Sequence, residues 1–297
     1  MRYTFATLDV FTARRFAGNP LGVVFDADFL DGATVQAIAC EFGFPETVFV
    51  LKPQAPGGTA AVRIFTPGME LPFAGHPTVG TALVLTLRRG AGTEVALEEK
   101  IGLVKCKVAA DGANGGRASF VIPALPKQSG TAASNQAIAA ALGLSVEDLG
   151  FDGHQPVKWA VGNSFTFVPV RDIGAVRRCR IVEAAWDAAF DSGGRSFPFI
   201  FSKETEDTAN SFHARMFAPR AGVPEDPATG SAAAAFAGFC AQSLSLCDGD
   251  HRFVTEQGFE MGRPSLVELC ATMRGGVLSS ASVGGPAVIV TEGTIEA

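Results

Sequence analysis

The chain has 297 residues, 47% of them hydrophobic and 18% charged, with a formal net charge of −6. That length calls for two domains, and so apolar a composition excludes a globally disordered chain. The acidic balance, with no basic block, argues against nucleic acid as the main partner, because phosphate binding needs clustered Lys and Arg.

The N-terminus, MRYTFATLDVFT, alternates as a strand does and has no apolar leader core. The longest apolar run, Ala232 to Ala241, is about half of what a membrane span needs. No membrane partner and a cytoplasmic location are therefore expected. The cysteines, Cys40, Cys106, Cys179, Cys240, Cys247 and Cys270, form no CxxC pair. They read as reduced, mostly buried thiols.

Strand-like segments dominate the order of elements. Tyr3–Phe11, Leu21–Asp26, Thr47–Leu51, Ala61–Phe65, Gly102–Ala109 and Arg117–Ile122 fill the first half. Phe165–Val170, Phe197–Phe201, His213–Phe217, Ser265–Thr272 and Val277–Val290 fill the second. They alternate with period two or are rich in Val, Phe and Ile. Asp31–Phe42, Ser134–Leu142 and Ala184–Phe190 read as helices, the second with Ser134 or Asn135 as its cap. Two further helices, Pro77–Leu87 and Ser231–Leu244, are apolar on nearly every side. A helix apolar all round should be surrounded by protein. Each follows a loop rich in Gly and Pro, so each half is expected to wrap a curved sheet around one buried helix.

The halves echo each other. Gly18-Asn19-Pro20 before LGVVFDA matches Gly162-Asn163-Ser164 before FTFVPVRD. Arg63-Ile64-Phe65-Thr66-Pro67 matches Arg215-Met216-Phe217-Ala218-Pro219. The two matches lie 144 and 152 residues apart and in the same order, as a duplicated domain requires. The alternative is chance likeness of short apolar strings. The link between halves is placed in Pro123–Ser134, rich in Pro, Ser and small residues. The expected halves are 1–125, joined by the C-terminal strand 284–297, and 126–283.

The first turn of a helix leaves backbone N–H groups unpaired, and the helix dipole adds positive potential there. Two such starts, Gly75–Thr78 and Gly230–Ala232, facing one cleft would hold an anion without Arg or Lys. A small carboxylate ligand is the expectation, and ordinary capped helices are the alternative. His76 stands at the first start and is either structural or catalytic. Asp226 precedes the second and is either an acid or a cap. Glu46, in Phe44-Pro45-Glu46-Thr47-Val48-Phe49, is either a solvated loop residue or, if buried, a carboxyl raised toward neutrality and suited to general acid–base work. The four histidines, His76, His154, His213 and His251, show no zinc spacing. There is no GxSxG elbow, no phosphate loop and no calcium loop.

At these turns the sequence resembles the PhzF-like family of phenazine-biosynthesis isomerases, within the diaminopimelate epimerase-like superfamily. The matching strings are LDVFT, FAGNPLGVVFDA, ETVFVL, RIFTPGMELPFAGHPTVGTA, EDPATGSAA, EQGFEMGRPS and SVGGPAV, running from residue 8 to residue 288. The resemblance implies an α+β fold of two pseudo-symmetric domains, each a barrel-like β-sheet around a central buried helix, with an active site between them. Epimerase relatives carry a Cys at each helix start. Here those places read Ala74-Gly75-His76 and Thr229-Gly230-Ser231, so two-base racemisation by thiols is disfavoured. In the isomerase branch a Glu carries the proton. Glu46 matches it, His76 and Asp226 match its polar companions, and Ser231 matches the residue at the second helix start. Phe44-Pro45 departs from the polar residue often found before that Glu.

The expected function is a cofactor-independent isomerase of the trans-2,3-dihydro-3-hydroxyanthranilate isomerase type, acting on a small carboxylate metabolite. Glu46, His76 and Asp226 are its catalytic residues, with His76 and Asp226 bonded to each other. Gly75, Gly230 and Ser231 hold the carboxylate with backbone amides, and no metal is involved. A homodimer is what the family implies. The alternatives are an amino- or hydroxy-acid racemase, epimerase or dehydratase on the same fold, and a non-catalytic metabolite-binding protein.

Overall fold

The computed structural model describes residues 1–192 and 194–297. The chain forms two units. One is Met1–Pro123 with Gly262–Leu266 and Ser282–Ala297; the other is Ala124–Met261 with Val267–Ala281. The expected halves had Gly262–Leu266 in the second half. Its place in the first unit is fixed by backbone bonds from Leu266 to Phe11 and from Gly18 to Pro264. Arg263 adds bonds to Asp9 and to the Ala17 and Gly18 carbonyls.

The first unit contains β1 (Arg2–Val10), β2 (Asn19–Val24), α1 (Gly32–Phe42), β3 (Glu46–Leu51), β4 (Ala60–Phe65), β5 (Glu70–Leu71), α2 (Gly75–Arg89), β6 (Glu94–Glu99), β7 (Gly102–Asp111) and β8 (Gly115–Val121). The last strand of the chain, β17 (Val277–Glu296), pairs with both β1 and β8. The order β17–β1–β2–β3–β4–β6–β7–β8 then returns to β17, a closed ring with no free edge. Pairing is parallel at β2/β3 and β4/β6 and antiparallel elsewhere in the ring.

Helix α2 runs inside this ring. Every residue from Gly75 to Leu85 is buried, and the helix packs against β1, β2, β3, β6, β7 and β8. Its all-round apolar sequence is what such a position requires. Gly80 permits the closest approach, since a Cβ there would sit 2.5 Å from Leu21 Cδ2. The helix stops at Gly90, whose φ of 63° is the left-handed conformation that glycine adopts at a helix end. Outside the ring, α1 buries Val35, Ile38 and Ala39 against Val24, Phe49 and Phe65.

The second unit contains β9 (Lys127–Gln128), α3 (Asn135–Leu142), β10 (Val157–Val161), β11 (Asn163–Pro169), α4 (Ile173–Arg178), α5 (Glu183–Phe190), β12 (Phe197–Ser202), β13 (Phe212–Ala218), β14 (Val223–Asp226), α6 (Gly230–Ser243), β15 (Gly249–Gln257) and most of β16 (Ser265–Arg274). Its pairings run antiparallel β10/β11, parallel β11/β12, antiparallel β12/β13 and parallel β13/β15. The first unit has the same alternation through β1/β2, β2/β3, β3/β4 and β4/β6. The repeat expected from short strings is thus a repeat of topology. Helix α6 is buried at Gly230 and from Ala232 to Cys240, and packs on β10 and β11. Phe236 sits among the rings of Phe167, Phe199, Phe201 and Phe212. Such pairs add about 0.5–1.5 kcal/mol each beyond the area they bury.

The five expected helices are present as α1, α2, α3, α5 and α6, and Ser134 caps α3 by accepting from Ala137 N. The expected strands are also present, while β5, β6, β9, β10, β14 and β15 and helix α4 were not anticipated. Among the described residues, no helix is long and apolar enough to cross a membrane.

Candidate active site

In the first unit, β2 organises the site. Its Leu21 pairs in parallel with Glu46, which opens β3. Gly18 makes the preceding turn with a φ of 65°, where a Cβ would lie 2.4 Å from the Val10 carbonyl oxygen. The Pro20 carbonyl accepts a hydrogen bond from the His76 ring. Glu46 and His76 thus hang from neighbouring points of one strand, although 30 residues separate them in sequence.

The His76 imidazole is 4% exposed. Its Nε2 lies 3.3 Å from Glu46 Oε2, whose side chain is 17% exposed. Burial pushes the His76 pKa down to about 3, against the bond to Pro20. The ring is therefore neutral at pH 7. With its N–H given to Pro20, Nδ1 is the protonated nitrogen, and Nε2 turns a lone pair toward Glu46. We assign this tautomer from the bonding pattern. A lone pair facing a carboxyl oxygen at this distance is well placed to share one proton with it, so the pair can hold a proton or surrender it. Gly75, beside His76, lies in the first turn of α2, where backbone N–H groups point out of the helix end. Residue Ala74 is the N-cap and provides no side-chain cap bond.

In the second unit, Asp226 ends β14 and Gly230 opens α6. Thr229 Oγ1 donates to Asp226 Oδ2 at 2.6 Å. Gln257, at the end of β15, donates through Nε2 to the Asp226 carbonyl at 2.7 Å and to Thr229 Oγ1 at 2.9 Å. Its Oε1 accepts from Thr229 N at 3.1 Å. Asp226, Thr229 and Gln257 thus form one polar unit at the start of α6. Gly230 is buried and Ser231 half-buried beside them.

The structure brings Glu46, His76 and Gly75 together in one unit, and Asp226, Gly230 and Ser231 in the other. Sequence reasoning missed Gln257 and Thr229, although both stand inside quoted strings, EQGFEMGRPS and EDPATGSAA. Their hydrogen-bonding role depends on β15 reaching α6, which no local pattern reveals. Neither helix start carries a thiol. The buried Cys106, Cys179 and Cys240 have their pKa values pushed up by burial, and so remain protonated. Among the described residues, no group of three His, Cys, Asp or Glu is placed to hold a metal ion.

Comparison with known proteins places the chain. Residues 8–293 match the family model described as phenazine biosynthesis-like protein. The chain is 45% identical to an uncharacterized isomerase of Mesorhizobium japonicum, over 97% of this chain and 96% of that protein. It is 35% identical to the trans-2,3-dihydro-3-hydroxyanthranilate isomerase of Pseudomonas fluorescens, over 99% of each. Among solved structures, a PhzF-family phenazine biosynthesis protein of Bacillus anthracis superposes with a TM-score of 0.89 at 28% identity, over 100% of both chains. A hydroxyproline epimerase of Agrobacterium vitis, at 12% identity and a TM-score of 0.64, shares the fold. The chain therefore belongs to the phenazine biosynthesis-like (PhzF) family, and is one of its isomerases.

Proposed function

We propose that this isomerase shifts a proton between carbons of a small carboxylate-bearing metabolite, and that Glu46 carries the proton. The observation behind the proposal is the 3.3 Å approach of Glu46 Oε2 to the neutral His76 Nε2, at the uncapped start of a buried helix. Glu46 takes the proton from carbon as a carboxylate and returns it as a carboxylic acid. Between the two steps the protonated carboxyl donates toward the His76 Nε2 lone pair, which holds it in line while the ring stays neutral. A carbanion beside a carboxylate spreads its charge onto the carboxylate oxygens, where the amides of Gly75 and His76 stabilise it.

The reading keeps Asp226 as a further acid, and Gly230 and Ser231 as further donors at the start of α6. It needs no cofactor. The relatives named as trans-2,3-dihydro-3-hydroxyanthranilate isomerases make an unsaturated cyclic amino acid the first compound to try. A racemase of the thiol type is not favoured, since His76 and Ser231 occupy the two places at which thiols would act.

The test is incubation in D₂O with trans-2,3-dihydro-3-hydroxyanthranilate and a panel of small unsaturated carboxylates, followed by ¹H NMR. The reading predicts a double-bond shift with one deuterium gained at carbon. Inversion of a single enantiomer with no bond shift would instead support an epimerase, and binding of every compound without exchange would support a non-catalytic binding protein.

A further inference from the structure

Glu99 ends β6 inside the first unit and takes no part in the Glu46–His76 pair. It is 7% exposed, and its Oε2 is buried without a hydrogen-bond partner. Its Oε1 lies 2.7 Å from Thr78 Oγ1. The same hydroxyl lies 2.7 Å from the carbonyl oxygen of Ala74, the N-cap of α2. A hydroxyl has one hydrogen to give. Both short contacts are hydrogen bonds at once only if one neighbour donates in return. The carbonyl cannot donate, and a carboxylate cannot; a carboxylic acid can.

The second unit carries an independent indication. In the parallel pair β4/β6, Ala61 stands beside Glu98; in the parallel pair β13/β15, His213 stands beside Glu256. The residues that follow, Glu99 and Gln257, occupy the same place in the repeat. Gln257 also meets a threonine hydroxyl at the start of a buried helix, and it donates to that hydroxyl from an amide. An amide is the permanently neutral counterpart of a protonated carboxyl.

We infer that Glu99 is a neutral carboxylic acid that donates to Thr78, which in turn donates to Ala74 and fixes the start of α2. Glu99 is then a positioning residue for the Gly75 and His76 amides, and its effect on turnover rests on the function proposed above. Burial supports this protonation state by raising the Glu99 pKa to about 8. The ionisable group that feels its charge is the Cys106 thiol on β7, itself held protonated by burial. From α2 it meets the Thr78 hydroxyl, and β4 runs beside β6 with Ala60 and Ala61. Ionisation would turn the Thr78 hydrogen toward Glu99 and release the Ala74 carbonyl.

The experiment is NMR of protein labelled with ¹³C at the glutamate carboxyl and ¹⁵N at the amides, titrated without substrate. The Glu99 resonance is assigned by its loss in Glu99→Gln. The expected midpoint is near 8, with the Gly75 and His76 amide shifts moving along the same curve. In Glu99→Gln those amides should keep their low-pH positions throughout. In Thr78→Val they should no longer follow the carboxyl titration. Wild-type turnover should fall about tenfold per pH unit above the midpoint, as for one essential proton, and Glu99→Gln should abolish that limb while keeping the neutral-pH rate. A Glu99 midpoint near the ordinary value of about 4.3 overturns the protonation, and amides indifferent to the titration overturn the positioning role. Both readouts are taken without substrate, so they decide on Glu99 even where the Glu46 reading fails.

Discussion

The two units carry the same scaffold and different chemistry. In each, an arginine on the fourth strand of the repeat grips a glutamate on the short strand beside it: Arg63 with Glu70, and Arg215 with Glu225. In each, the guanidinium also lies over a phenylalanine two residues on, Phe65 and Phe217. In each, a glutamate near the end of the following strand accepts backbone N–H bonds from the preceding loop: Glu98 from Gln54 and Ala55, and Glu256 from Glu206 and Asp207. These matches hold strands and loops in register. The mismatches fall at a helix start and at the opening of the third strand. His76 stands where the second unit has Ser231. Glu46 pairs with Leu21 in β2, while the corresponding pair in the second unit is Phe165 with Phe197. The repeat supplies two similar frames, and a few departures from it supply the groups proposed for acid–base work.

The largest expected effect comes from erasing that difference. His76→Ser gives the first unit the residue of the second. It should lower turnover by about 10²–10⁴-fold, the span of one general acid–base contribution, in steady-state kinetics with far-UV circular dichroism unchanged. Ser231→Ala removes only a hydroxyl and should cost roughly tenfold, one net hydrogen bond of about 0.5–1.5 kcal/mol.

Next come the two arginine clamps. The Arg215 and Glu225 side chains are 10% and 16% exposed, against 33% and 16% for Arg63 and Glu70. Arg215 also donates to the Cys179 carbonyl at 2.8 Å. Removing one partner of a buried pair strands the other. Arg215→Ala should therefore destabilise by about 3–5 kcal/mol, and Arg63→Ala by about 1 kcal/mol. Chemical denaturation of the two variants checks the order.

The buried histidines should separate the units by pH. Burial alone would lower the His213 pKa, but bonds to Glu256 and Glu260 and their charges raise it to about 9. A raised folded-state value gives stability that is complete below the unfolded value of about 6.5 and is lost as pH climbs from there through about 9. His76, pushed down to about 3, has the opposite sign: its contribution is present above about 6.5 and is lost as pH falls below it. Thermal melts from pH 5 to pH 10 should show His213→Gln flattening the alkaline slope and His76→Gln flattening the acid one.

The smallest effect is at a helix cap. Asp31 accepts from Thr34 N at 2.8 Å, and Asp31→Ala should cost about 1 kcal/mol of stability, measured by denaturation. Activity should be unchanged, since α1 lies outside the ring.

Much of this was legible in the sequence because the signals are local. The two all-apolar helices announced their burial, and Ser134 marked the cap of α3. Two of the strands that escaped notice carry polar or charged residues where burial was the fact. In β6, Glu99 is buried, and in β15 so are Glu256 and Gln257; residues of this kind hide a strand from any hydrophobic pattern. The joining of Glu46 to His76 was not legible either, because it runs through the Pro20 carbonyl, a backbone group with no signature. The same holds for Gln257, whose partners lie 28 and 31 residues away.

Deuterium exchange reads most directly whether Glu46 carries the proton. Wild type and Glu46→Gln are compared in D₂O with the compound that the wild-type enzyme turns over, following deuterium uptake at carbon by NMR and folding by circular dichroism. The Glu46→Gln variant should fold and exchange more slowly by about 10²-fold or more. Exchange at the wild-type rate in that variant would contradict the proton-carrying role of Glu46.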